Sequence, residues 1–251
     1  MSLKRAELNL AAQWFDLLMM ELANWRWSWH SMILTGMLAP IASMLALHVF
    51  ARDADSLAYI LTGNMVMSLL FGNLDKVTSR FAYMRFAGTL DYLATLPVRR
   101  AIVVAASACS FLLLSLPALA ITALVGTLVL RLPLRPHWAL APTIMLGALS
   151  LAGIGAILGC KARTPQEAGA FSLVATLVLV SLGPVIIPPG RLPPAVLWLG
   201  RLSPATYAAS ALRQAMLGPI GSSIWRDLAA LALFATGSLF LAGRWMNWRQ
   251  E

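Results

Sequence analysis

His48, Asn64 and Asn73 are the polar side chains of note inside the long apolar runs of this chain, and they allow little chemistry at membrane depth. Ionisable groups inside a bilayer are costly, so any that occur are functional hypotheses by default. A proton- or ion-coupled carrier needs such a group or a pair of broken helices, and an intramembrane hydrolase needs a nucleophile beside a base. No Asp, Glu, Lys or Arg is placed near the middle of an apolar run, so neither constellation is legible. A lone His48 without a titratable neighbour reads as an interfacial hydrogen-bonding residue, and Asn64 as a bond across helices. Cys109 and Cys160 fall within the apolar runs or at their cytoplasmic end, without a second ligand type, and read as packing residues rather than a disulfide or metal site. No GxxxxGK[ST] phosphate loop occurs, so the energy for any transport has to come from outside the chain.

The segment built for work lies between two apolar runs. Gly88-Thr-Leu-Asp-Tyr-Leu-Ala-Thr-Leu-Pro97 is a short amphipathic helix pattern, with Lys76, Arg80 and Arg85 before it and Arg99 and Arg100 after it. Gly88 and Thr89 can begin a helix, Leu90, Leu93 and Ala94 form its apolar side, Asp91 sits in the first turn where a carboxylate is favoured, and Pro97 stops it. Its chemistry is mechanical: a short rigid helix can seat in a cleft of a cytoplasmic partner and pass that partner's closure to the adjoining spans as a push.

The elements that must position this segment are membrane helices. The chain is 59% hydrophobic and 12% charged, with a mean hydropathy of +0.76, far from the range of soluble domains. Six runs are long enough to cross the roughly 30 Å hydrocarbon layer, for which about 20 helical residues suffice. They are Met32 to Phe50, Ser56 to Leu74, Ile102 to Val129, Trp138 to Cys160, Glu167 to Ile187 and Asp227 to Gly243. Because the runs are continuous rather than alternating, a barrel is excluded and the fold class is an all-α integral membrane protein with six transmembrane helices. The third run is over-long and carries Pro117, so a tilt or kink is expected there.

Orientation follows from the basic residues. With the N-terminus in the cytoplasm, 12 of the 19 Lys and Arg fall on the inside, which favours cytoplasmic termini at both ends. The formal charge of +9 requires no nucleic acid, since anionic headgroups are the ordinary counter-charge. The first 30 residues do not read as a cleavable signal, because Asp16 and Glu21 interrupt any apolar stretch. Leu10, Trp14, Leu18, Leu22, Trp25 and Trp29 recur on one helical side, with Asn9, Gln13, Asp16 and Asn24 on the other. That is the pattern of an in-plane interfacial helix whose Trp14, Trp25, Trp27 and Trp29 anchor at headgroup depth; the alternative is a helix packed on a soluble partner or on the bundle itself.

After the fifth run the chain reads Gly183-Pro-Val-Ile-Ile-Pro-Pro-Gly-Arg-Leu-Pro-Pro194, too rich in Pro and Gly to continue a helix. Two apolar helix-length pieces follow, both too short to span, the second opened by Ser203-Pro204. Short apolar helices beside a proline break point to an outer re-entrant hairpin, with an ordinary extracellular loop as the alternative.

Both stretches carry a family resemblance. Arg85 to Pro97 followed by Val-Arg-Arg resembles the coupling helix of type-2 ABC transporter permeases, whose pattern Gly-Thr-Leu-Glu/Asp-x-Leu-x-x-x-Pro-hydrophobic lies between spans two and three. The outer segment is similar to the same family's leucine-proline turn, brief helix and Pro-x-x-Tyr stretch leading to an Arg, matched by Pro204, Tyr207 and Arg213. The resemblance covers the whole chain as one transmembrane unit: residues 1–30 the interfacial helix, 32–74 spans one and two, 75–101 the coupling loop, 102–187 spans three to five, 188–226 the outer hairpin and 227–243 span six.

What the resemblance implies is half of a transport pathway. A second copy or a paralogue would complete it, and two ABC ATP-binding subunits would carry the ATP and Mg, with no cofactor in this chain. Gly88, Thr89, Leu90, Asp91, Tyr92, Leu93 and Pro97 would contact the ATPase, and Pro188, Pro189, Pro193, Pro194, Pro204 and Tyr207 would form the outer gate. The expected activity is export of a hydrophobic or amphipathic substrate across a prokaryotic plasma membrane. Asn64, Met65, Met67 and Phe71 are the span residues that could line its path, without an assignment among them. A membrane-embedded scaffold without its own pathway is the alternative, and a lipid-acting enzyme is disfavoured for want of a paired acid and base.

Overall fold

The computed structural model describes residues 10–24, 28–51, 53–95, 100–218 and 221–245, and among them every regular element is helical. Trp25, Trp27 and Pro97 lie outside the described residues. The order is α1 (Leu10–Asn24), α2 (Trp29–His48), α3 (Ala54–Leu69), a π-helical turn (Leu70–Asp75), α4 (Lys76–Phe86), α5 (Thr89–Thr95), α6 (Arg100–Leu130), α7 (Leu140–Lys161), α8 (Pro165–Ser181), α9 (Pro194–Gly200), α10 (Pro204–Met216) and α11 (Ser223–Trp245).

Among the described residues, five stretches are long and apolar enough to cross a membrane: α2, the continuous 54–86, and 101–130, 140–161 and 223–244 within α6, α7 and α11. The sixth, α8, is apolar but only 17 residues long, about 26 Å at the usual rise. Residues 182–187, expected in the fifth span, are bends, because Gly183 takes φ +113 and ends the helical path. The second span also differs from expectation. It does not stop at Leu74 but runs through the π turn to Phe86, so residues 75–86 of the expected coupling loop belong to that helix.

The π turn has a visible neighbour. Asn73 is fully buried and its Nδ2 donates to Ser115 Oγ of α6 at 3.1 Å, while a Cβ on Gly72 would fall 2.5 Å from the Ser115 Cβ. Two residues further along α6, Pro117 removes a helical donor. The π turn of the second span therefore sits beside the stretch of the third span that carries Pro117.

Two large apolar clusters fill the bundle among the described residues, beside a small one of Ala82, Ala162 and Ala168. One surrounds α3 and the π turn, with Leu61, Leu69, Leu70 and Leu74 against Met44, Leu151, Leu212 and Leu231. The other joins Phe81 and Met84 of α4 to Leu90 and Leu93 of α5 and to Val104 and Phe111 of α6. Lipid competes for apolar surface, so close packing and hydrogen bonds hold such helices together more than transfer from water does. α7 supplies the closest approaches: a Cβ on Gly155 would lie 2.5 Å from Leu74 O, and one on Gly159 2.4 Å from Thr78 O. Against α11, Ser150 Oγ donates to Leu231 O at 3.0 Å and Ser238 Oγ to Ser150 O at 3.2 Å.

Candidate functional site

The junction of α4 and α5 is a left-handed turn. Gly88 has φ +70, its N–H donates to Arg85 O at 3.2 Å, and the Ala87 N–H donates to Tyr83 O at 2.8 Å. Glycine suits this position because an L side chain there is strained, and the turn satisfies carbonyls left over at the end of α4. Gly88 O then accepts the Tyr92 N–H at 3.2 Å, so one residue closes α4 and opens α5.

α5 has two unlike faces. Leu90 and Leu93 are 4% and 3% exposed, seated in the cluster shared with α4 and α6. Asp91, Tyr92 and Thr95 are exposed, and so are Tyr83 and Phe86 on the last turn of α4. Of the residues expected to meet a cytoplasmic ATPase, the structure thus turns Leu90 and Leu93 inward and leaves Asp91 and Tyr92 outward. Gly88 and Thr89 are half-buried at the turn.

α4, on which α5 rests, is fastened on two sides. Arg85 Nη1 donates to Cys160 O at 2.5 Å and to Ala162 O at 3.5 Å, joining α4 to the α7–α8 turn. That turn is rigid: Thr164 Oγ1 accepts the Glu167 N–H at 3.1 Å, Glu167 Oε2 accepts the Arg163 N–H at 2.7 Å, and Pro165 occupies the first turn of α8. The Thr164-Pro-Gln-Glu167 string is a capping signature open to sequence reading, whereas the anchor point of Arg85 is not. On the other side, Arg80 donates to Glu21 Oε1 of α1 from Nε at 3.1 Å and from Nη2 at 2.9 Å.

α1 therefore packs on the bundle. Its inward face carries Leu18 and the buried Glu21 with Trp14 half-buried, while Leu10, Phe15, Met19 and Met20 are exposed. Trp29 is 45% exposed and its ring lies 3.7 Å from that of His30.

At the opposite end, α10 is inserted among α3, α7 and α11, with Ala205, Ala208, Ala209, Leu212 and Ala215 buried. Gly183 and Gly200 touch, since a Cβ on Gly200 would lie 2.7 Å from the Gly183 Cα. Ser203 and Thr206 hydroxyls reach Leu179 O and Leu182 O, both at 3.4 Å, where α8 leaves carbonyls unpaired by its own turns. At the far end of α10, Met216 O and Ala215 O accept the Arg135 and His137 N–H groups at 2.8 and 2.9 Å. Of the expected gate residues, Pro204 is buried, Pro188 and Tyr207 are half-buried, and Pro189, Pro193 and Pro194 are exposed. Tyr207 Oη donates to Arg201 O at 2.9 Å.

Sequence reading assigned no charged network to this end, yet one is present. Arg213 Nη1 donates to Thr62 Oγ1 at 2.8 Å and its guanidinium lies 3.5 Å from the Tyr59 ring centroid. Asp227, 1% exposed, accepts from Ser210 Oγ at 2.6 Å and from Gln214 Nε2 at 3.0 Å. Asp227 was visible only as the first residue of a span, where burial cannot be read.

The suggested path residues separate. Asn64 and Met65 are buried in the core, Met67 is half-buried, and Phe71 borders a cavity between α2 and α8. Among comparisons with known proteins, the family model described as ABC-2 type transporter matches residues 12–217. No curated protein matches the chain.

Proposed function

This chain belongs to the ABC-2 type transporter family, a family of transporter permeases that work with an ATP-binding subunit, and from that premise we propose that it is the permease half of an exporter for a hydrophobic or amphipathic substrate. The observation that carries the reading is the two-faced α5, held by Leu90 and Leu93 and presenting Asp91 and Tyr92 at the end of a braced α4. A push received there reaches the second and third spans directly, because α4 continues into one and α5 precedes the other.

Two ATP-binding subunits, each with ATP and Mg, dock on the α5 ends of two permease chains and draw those ends together on closure. The partner permease is a second copy or a paralogue, since two-fold pairing is the default for such assemblies. The α5 end and both termini face the cytoplasm of a prokaryotic plasma membrane, and α9 and α10 form a re-entrant outer gate. Closure of the motor shifts the bundle from inward- to outward-facing and releases substrate outward.

Co-purification of the tagged chain in mild detergent tests this. Recovery of a P-loop ATPase whose activity falls on joint substitution of Asp91 and Tyr92 supports the reading. Recovery of the chain alone, with normal membrane insertion, turns it toward a scaffold role.

A further inference from the structure

A cavity of about 400 Å³ lies between α2 and α8 and is floored by the π turn, a size ordinary for small-molecule sites. Its polar wall is unusual for a membrane bundle. Asp75 Oδ1 accepts from Ser172 Oγ at 2.6 Å, and Asp75 Oδ2 lies 3.6 Å from Lys76 Nζ. Thr176, one turn beyond Ser172 on α8 and 1% exposed, lines the same cavity, and its hydroxyl has no hydrogen-bond partner among the described residues. Other helical threonines here, Thr62, Thr78, Thr122 and Thr143, donate to the carbonyl four residues back. Thr176 has kept its hydroxyl for something else. The remaining wall is apolar, from Leu38, Phe71 and Leu173.

We propose that this cavity binds a protonated amine carried on an apolar body, with the ammonium on Asp75 and the body against Leu38, Phe71 and Leu173. The inference rests on the permease reading and gives its substrate class. The protons of Ser172 and Thr35 are already directed at Asp75 and at Ser31 O, so these oxygens can only accept from a ligand, as the carboxylate does. The uncommitted Thr176 hydroxyl can accept as well as donate, so an ammonium meets an acceptor at each polar group of the wall except Lys76. Lys76 holds Asp75 at 3.6 Å, longer than a direct hydrogen bond, and its flexible stem lets the ammonium swing toward the headgroups when another cation arrives. One cation replaces another, and the carboxylate is never left bare. Ser172 lies seven residues into α8, about 10 Å along that helix from its first residue.

The test is equilibrium binding to the purified full-length chain in neutral-lipid nanodiscs, without the ATPase. Three dansylated probes of equal alkyl length are compared: one ending in a free amine, its N-acetylated form, and one ending in a sulfonate. The amine binds best, Asp75→Asn weakens it about tenfold or more, and Lys76→Met leaves it equal or tighter. Gly169→Leu supplies a second variant that keeps folding, because a Cβ at Gly169 meets nothing within 4 Å while the longer side chain enters the cavity and blocks the amine. Equal binding of amine and acetylated probe, or amine binding unchanged in both Asp75→Asn and Gly169→Leu, overturns the site. Preferential sulfonate binding that disappears in Lys76→Met overturns the amine in favour of an anion. Selective amine binding without ATP-driven efflux from cells containing the partner ATPase supports the site and overturns the exporter reading instead.

Discussion

Arg80 of α4 places two of its guanidinium nitrogens on a single oxygen of Glu21, and Glu21 is 2% exposed. The other Glu21 oxygen is buried without a hydrogen-bond partner among the described residues. Breaking a buried pair from one side strands a charge, whereas replacing both members with apolar groups of similar volume need not. Glu21→Met or Arg80→Met alone should cost about 3 kcal/mol; the double replacement should recover most of it. Denaturation of the detergent-solubilised protein, run as a double-mutant cycle, measures the difference.

The two faces of α5 should separate stability from coupling. Leu93→Ala removes a buried side chain and should loosen α5 by about 2 kcal/mol, seen as faster proteolysis near residue 95. Tyr92→Ala, at an exposed position, should alter stability by no more than about 0.5 kcal/mol while reducing the ATPase activity of the assembled complex. Loss of activity from Leu93→Ala alone would mean that the exposed face is not what the motor touches.

Gly88 isolates backbone strain from crowding, because a Cβ there would meet nothing within 4 Å and yet φ is +70. Gly88→Ala should therefore destabilise the α4–α5 junction by about 1 kcal/mol, with Gly88→Asn milder, since Asn tolerates the left-handed region better. Amide exchange of the Tyr92 N–H, bonded to Gly88 O, reports this locally.

At the far end, Asp227→Leu would remove the acceptor of the Ser210 hydroxyl and the shortest of the Gln214 amide's hydrogen bonds. An unpaired buried donor costs about 1–3 kcal/mol, so a fall in thermal stability toward the low end of that range is expected for these half-buried groups, with Asp227→Asn milder. Arg213→Lys keeps the charge but lacks the planar group that lies against Tyr59 and reaches Thr62. It should lower transport more than stability, read as efflux against melting temperature.

Much of the architecture could be read from hydropathy because length and apolarity are what a bilayer demands of a helix. The α5 pattern was legible for the same kind of reason: Leu90 and Leu93 repeat at helical spacing and Gly88 marks the turn. Span two was not, since Asp75 and Lys76 look like the start of a polar loop although the helix continues to Phe86. The contacts of Glu21, Arg85 and Asp227 were hidden because each partner lies far away in sequence or is a backbone carbonyl. Sequence spacing carries a helix's face but not the neighbour that meets it.

The π turn at Leu70–Asp75 has a consequence for the docking geometry of α5. A π turn holds one residue more than an α turn, so the stretch on its far side is set back in phase. Winding these same residues at the α pitch, with none deleted, would rotate α4 by about 100° about its own axis. That rotation would carry Arg80 away from Glu21 and Arg85 away from the Cys160 carbonyl together. The local irregularity in span two thus sets the azimuth at which α5 is offered, as a spline sets the angle of a crank on its shaft.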